Sequence, residues 1–276
     1  MKGTPVANQT IRDRLWLWGM KVNVLQESET YKALNFGTST MTTEQAICGT
    51  GIRNVLMAGG LQLDRPTLDS MPSARRIIAK WGLHRHSEES GAYLDLDGCL
   101  GALRGAKQIA GEDPRIDAFL IDDFSTGSIA AGARPEHLAR LQYVNATEFP
   151  HLPLMGTIYE MSLEDERLWA CLPYFAGTLS PLWHAADIDK LPGYVGRIAE
   201  LTGGKPQLVC VYLYDFGNEK LLSHDLMQQQ LDVAERLLRE ERVMGVCILG
   251  TCMMDLDWEA NHCFCDWLER VGELKI

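Results

Sequence analysis

The chain has 276 residues, enough for one large domain or two small ones. Hydrophobic residues make up 46% and charged residues 23%, an ordinary globular composition with ample material for a core. The net charge of −11 argues against a nucleic-acid partner, which needs concentrated basic charge, and no apolar run is long enough to span a bilayer.

Met1–Thr10 is polar, with no apolar core of a secretory signal, and residues 1–12 read as an N-terminal extension. A cytoplasmic location is the expectation, although a shortened form of a secreted protein would read the same way. The first strand is Leu15–Trp18. Thr42–Gly51 reads as a helix capped by Thr42 or Thr43. Asn54–Ala58 is the second strand and Arg76–Leu83 the third, and Asp95–Ala110 is helical. Ala118–Asp122 is the fourth strand, followed by a helix over Arg134–Asn145 with Pro135 in its first turn.

Leu152–Tyr159 makes a fifth strand, Leu163–Leu172 a helix and Thr178–Trp183 a sixth strand. A helix over Ile188–Leu201 stops at Gly203-Gly204. Gln207–Tyr214 is the seventh strand, Ser223–Glu241 a long amphipathic helix, Val243–Thr251 the eighth strand and Trp258–Val271 the last helix. Eight strands alternating with seven recognisable helices in this length predict an α/β fold, a single (β/α)₈ barrel over 1–276. A doubly wound open sheet is the alternative. It would usually carry a glycine-rich phosphate turn after its first strand, and Trp16–Lys21 has none.

In such a barrel the residues after each strand share one rim, where ligands bind. The rim then holds Trp18, Gly59, His84, Asp122, Asp123, Tyr159, Glu160, Trp183, His184, Tyr214, Asp215, Cys252 and Asp255. Asp122 and Asp123 end the apolar run Ile116–Ile121. Adjacent acids repel each other's charge, so one of them holds its proton to higher pH, which suits acid–base chemistry. Carboxylates with aromatic faces are also what sugar chemistry uses.

Plainer roles compete. A strand-end Asp often caps the next helix. Asp215 fits a turn with Gly217, and Glu160 fits a first-turn acid. Trp16, Trp18 and Trp183 fit packing, and His184 fits a satisfied polar residue. His84 and His86 with Glu88 and Glu89 form a thin metal signal in a presumed loop. The eight cysteines include no Cys-x-x-Cys pair and read as reduced thiols; Cys263-Phe264-Cys265, even with His262, reads as helix.

The Ile121-Asp122-Asp123-Phe124 segment resembles glycoside-hydrolase-type barrels. Val211–Gly217, the Leu226–Leu238 helix and Gly245–Gly250 are similar to uncharacterised bacterial barrels of glycosidase type. The adjacent aspartates also resemble those of substrate-assisted N-acetylglucosaminidases. That resemblance implies that Asp122 orients the acetamido group and Asp123 protonates the leaving oxygen. The commoner retaining layout implies acid/base Asp123 and nucleophile Asp215, but the chain departs from that layout's Asn-Glu and Glu pattern.

The expected function is therefore hydrolysis of a glycosidic bond. Asp122, Asp123, Asp215 and Glu160 are the candidate catalytic residues, and Trp18, Tyr159, Trp183, His184 and Tyr214 the candidate sugar contacts. The expected partner is a carbohydrate, without cofactor or metal, and the oligomeric state is open. The alternatives are a metal-dependent sugar isomerase, epimerase or lyase using Glu160, Asp123, His184 and Asp215, and a non-catalytic carbohydrate-binding barrel.

Overall fold

The computed structural model describes residues 9–24, 39–87, 91–148 and 150–276. Eight strands form a closed barrel: β1 (Leu15–Gly19), β2 (Asn54–Met57), β3 (Arg76–Gly82), β4 (Ile116–Asp122), β5 (Leu154–Thr157), β6 (Gly177–Ser180), β7 (Gln207–Tyr212) and β8 (Gly245–Leu249). Each pairs in parallel with its neighbour in sequence, and β8 closes on β1 with Leu15 opposite Val246. Between the strands lie α1 (Thr43–Thr50), α2 (Arg65–Asp69), α3 (Leu96–Glu112), α4 (Pro135–Thr147), α5 (Glu166–Cys171), α6 (Leu191–Thr202), α7 (His224–Arg239) and, after β8, α8 (Glu259–Val271). The architecture is a single (β/α)₈ barrel, as the alternation predicts.

The reason lies in the strands' own residues. β2, β5, β6 and β7 are buried along their whole length. A strand covered on both faces, by the barrel interior and by helices, reads as an unbroken apolar run. Local signals place the helix ends. Thr42 makes a reciprocal capping box with Gln45, and Ser223 caps α7 through the Leu226 N–H. Gly203 ends α6 in the left-handed region at φ 70°.

Three details differ from the sequence reading. α2 is an unforeseen single turn, capped by Asp64 and opened by Pro66. The presumed loop after β3 is an antiparallel hairpin, His84–Ser87 against Gly91–Leu94; Glu88 and Glu89 lie outside the described residues. β5 and β8 are each shorter than their apolar runs, because those runs continue past the last ladder hydrogen bond into buried turns.

The barrel's N-terminal end is shut by side chains that satisfy backbone carbonyls. Asn54 Nδ2 donates to the carbonyls of Asp13 and Leu15 at 2.9 and 2.8 Å, and Arg14 donates to those of Val243 and Met244. The opposite rim is left to carry the site. All eight cysteines are free. Cys263 is buried and Cys265 exposed, while His262 bonds Asp257, so α8 spreads these groups around its circumference. Among the described residues no helix is long and apolar enough to cross a membrane.

Candidate active site

Asp122 is the last residue of β4. Side chains on a strand alternate between faces, so a second acid in extended backbone would turn away from the first. The chain leaves the strand at once instead. Asp123 adopts the left-handed region (φ 46°, ψ 35°), one of the few conformations of this kind an Asp tolerates, and begins a π-helical turn over Phe124–Ser128. That reversal brings both carboxyl groups to the barrel mouth.

The turn is held from several sides. Phe124 is fully buried and meets Phe175 edge-on, with ring centroids 4.8 Å apart. Ser125 Oγ accepts from the Tyr159 N–H at 2.9 Å, and Ser128 Oγ lies 3.3 Å from His84 Nδ1. A side chain at Gly127 would collide with the His84 ring, so this glycine permits the hairpin to seat on the turn.

The two acids have different surroundings. Asp122 Oδ2 is 2.6 Å from Lys80 Nζ on β3, and Oδ1 accepts from Thr157 Oγ1 on β5 at 3.1 Å. The Lys80 ammonium also lies 4.7 Å over the Trp18 ring on β1. Asp123 Oδ1 accepts from the Tyr159 hydroxyl at 2.9 Å. Burial pushes the Asp123 carboxyl above the usual range, and the Asp122 charge pushes it further; Lys80 and the Tyr159 hydrogen bond offset part of this. Burial likewise lowers His84, which favours the neutral imidazole.

Lys80, Asp122, Asp123 and Tyr159 face a pocket of about 310 Å³ in the mouth, at the small end of the range for ligand sites. Trp18, Tyr159 and Trp183, three of the expected sugar contacts, line it together with Tyr212 and Phe216, which the sequence did not single out. Trp183, 37% exposed, forms the outer lip and tilts over Phe216 with centroids 6.2 Å apart. A larger cavity of about 740 Å³ lies on the barrel's flank, between β3 and the glycine-rich face of α3, where α2 is only one turn long. No carboxylate is among its described lining, whereas Asp122 and Asp123 both line the mouth pocket.

The remaining candidates sit behind or beside this pocket. Asp215 is buried and turned to its own loop: its two oxygens accept from the backbone and side-chain nitrogens of Asn218 at 3.1 and 2.8 Å. Glu160 Oε1 accepts from the Trp183 N–H at 3.3 Å, Oε2 is buried without a hydrogen-bond partner among the described residues, and burial raises this carboxyl. Tyr214 is buried against Phe216 and Trp258. His184 packs on Gly217. None of these four lines the mouth pocket. Among the described residues, no three His, Cys, Asp or Glu side chains converge on a point that could hold a metal ion.

Lys80 is the group that sequence reasoning passed over. It is the one charged residue within Ile77–Leu83, a strand otherwise apolar, and a lone charge inside a buried run is the signal that could have found it.

No protein-family model matches the chain, and no curated protein matches its sequence. Solved structures do. The glycoside hydrolase domain of PgaB (BpsB) from Bordetella bronchiseptica aligns with a TM-score of 0.54 at 11% identity, covering 95% of this chain and 99% of that one. A chitinase from Chromobacterium violaceum gives 0.51 at 8% identity, covering 94% and 98%. A β-glucuronidase from Bacteroides uniformis gives 0.57 at 9% identity; 89% of this chain is covered but only 31% of that enzyme, so the chain spans about a third of its length. The fold is therefore a (β/α)₈ barrel of the type these glycoside hydrolases use.

Proposed function

We propose that the protein hydrolyses a glycosidic bond, with Asp123 as general acid and Asp122 as its charged companion. The observation that carries this reading is the aspartate pair in the mouth pocket. One member is tied to a lysine, and the other is half-buried with its proton affinity raised. A carboxyl that holds its proton to higher pH than an ordinary one can deliver it to a leaving oxygen. Aromatic rings around the pair provide faces for the apolar sides of a sugar ring. The glycosidase names of the structural neighbours support the same class of chemistry.

Of the mechanisms open to such a pair, substrate assistance fits the geometry best. Asp215 bonds its own loop and Glu160 bonds the Trp183 backbone, so neither carboxylate lines the pocket as a nucleophile. In the assisted route Asp123 donates its proton to the glycosidic oxygen as the C1–O bond breaks. The carbonyl oxygen of a 2-acetamido group, oriented by Asp122, closes on C1. Asp123, now ionised, takes a proton from the water that reopens the ring. The test is turnover of paired aryl 2-acetamido and 2-hydroxy glycosides by wild type, Asp122→Asn and Asp123→Asn. Loss of activity in both variants, with the acetamido substrates preferred by wild type, is expected. Full activity in both variants sinks the proposal.

A further inference from the structure

We infer that Lys80 is a positioning residue: its ammonium, seated between the Trp18 ring and Asp122, ties the negative charge of the aspartate pair to Asp122 and leaves the transferable proton on Asp123. The inference rests on the acid–base reading of the pair given above, and it adds what decides between two chemically identical neighbours.

Two adjacent carboxyl groups of equal standing would share one proton, and neither would be a dedicated acid. Here the symmetry is broken by position. Lys80 Nζ is 2.6 Å from Asp122 Oδ2, and Thr157 Oγ1 donates to Oδ1, so both oxygens of Asp122 are engaged. For Asp123 the described donor is the Tyr159 hydroxyl, on Oδ1; Oδ2 has none among the described residues. A cation in direct contact with one acid favours the charge there, and a neutral phenol does far less for the other.

The lysine is itself well placed. It stands on β3, beside β4 in the ladder, with Lys80 opposite Leu120 and Gly82 opposite Asp122. The Trp18 face, 4.7 Å from the ammonium, gives it a seat from β1. β1, β3, β4 and β5 thus all contribute to holding Asp122, and rigid strands hold a group more closely than loops do. One face of Trp18 is thereby committed to the lysine rather than to a sugar. The titratable groups facing the pair among the described residues are Lys80, His84, Tyr159, Cys210 and Tyr212. Burial drives His84 toward its neutral form and raises Tyr159, Cys210 and Tyr212, so Lys80 supplies the positive charge that meets Asp122.

The experiment compares Lys80→Met, which keeps an unbranched stem but not the charge, with Lys80→Arg. In Lys80→Met, both limbs of the pH profile of kcat/KM should move upward, by about one unit or more, because an opposite charge within contact distance is worth that much. The loss should fall on kcat, at least about tenfold, with KM little changed, as befits a group acting only through the acids. Lys80→Arg should return the limbs toward wild type. Unmoved limbs in Lys80→Met overturn the inference, as do equal losses in both variants.

Carboxyl carbon NMR, which needs no turnover, separates this outcome from a failure of the proposed activity and does not depend on either lysine variant folding. In wild type, the aspartate signal of the pair that titrates last should vanish in Asp123→Asn. If it vanishes in Asp122→Asn instead, Lys80 does not place the proton as stated. If the NMR result is as expected and no glycoside is cleaved, the assignment of charge stands and the glycosidase reading falls.

Discussion

Replacing Asp123 by Asn removes a half-buried acid while almost preserving its shape. Asn accepts the left-handed backbone at φ 46° at least as readily as Asp, and its side-chain oxygen can keep the 2.9 Å bond from the Tyr159 hydroxyl. The variant therefore isolates the charge. In the folded protein, burial and the Asp122 charge raise the Asp123 carboxyl above the value it has in the unfolded chain. At low pH both states bind the proton and the acid costs nothing. As pH rises past the unfolded value of about 3.9, the unfolded chain releases its proton first and native stability falls; above the folded value the loss is constant.

Each unit of difference is worth about 1.4 kcal/mol. For a domain near this size, that corresponds to about 3–6 °C in melting temperature per unit. Asp123→Asn should thus melt with wild type near pH 3, and increasingly above it through the acid range, reaching a plateau at higher pH. It should be inactive throughout, a gain in stability at the expense of function. Melting curves of the two proteins by circular dichroism at closely spaced pH values measure the difference directly. A variant that melts below wild type at pH 8, or a difference that does not grow with pH, refutes the argument that Asp123 is held under electrostatic strain.

Other outcomes follow from single contacts. Tyr159→Phe removes a hydrogen bond that favours ionised Asp123, so the alkaline limb of kcat/KM should move up by about one to two units, the value of a hydrogen bond to a charged group; movement downward would contradict the donor role of Tyr159. Asp215→Ala should lower stability by about 1–3 kcal/mol, because it leaves the Asn218 donors unmatched, while kcat is kept within a few-fold; a loss of catalysis beyond about a hundredfold would return Asp215 to the reaction as its nucleophile. Gly177→Ala places a Cβ 2.8 Å from the Pro206 carbonyl, a backbone atom that cannot step aside, and chemical denaturation should show a loss of about 1–3 kcal/mol. Trp183→Ala should raise KM for oligosaccharides more than it lowers kcat, since the exposed ring at the lip can touch substrate but not the acids; the reverse split would count against a binding role.

Much of the fold and part of the candidate site's layout could be read from local pattern. The strands were legible because most are short apolar runs buried on both sides, and the helix ends because Thr42, Ser223 and Gly203 carry their signals within a few residues. Strand count then placed Asp122, Asp123, Tyr159 and Trp183 on one rim. The hairpin after β3 and the single turn of α2 escaped, because each is too short for a period to show and is held by what it packs against.

What the sequence by itself determined is the order of the eight strands with seven of their helices and the strand-end position of the aspartates, since both depend on neighbours along the chain. Which acid meets a cation was decided only in three dimensions. Lys80 and Asp122 are 42 positions apart and Thr157 a further 35, and the β3–β4–β5 ladder sets them side by side. Pattern also placed Asp215, Glu160, His184 and Tyr214 near strand ends, but the direction of a side chain after a strand depends on the turn that follows. Asp215 turned to Asn218, His184 to Gly217 and Tyr214 to Trp258, whereas the left-handed backbone at Asp123 turned its carboxyl back to the mouth.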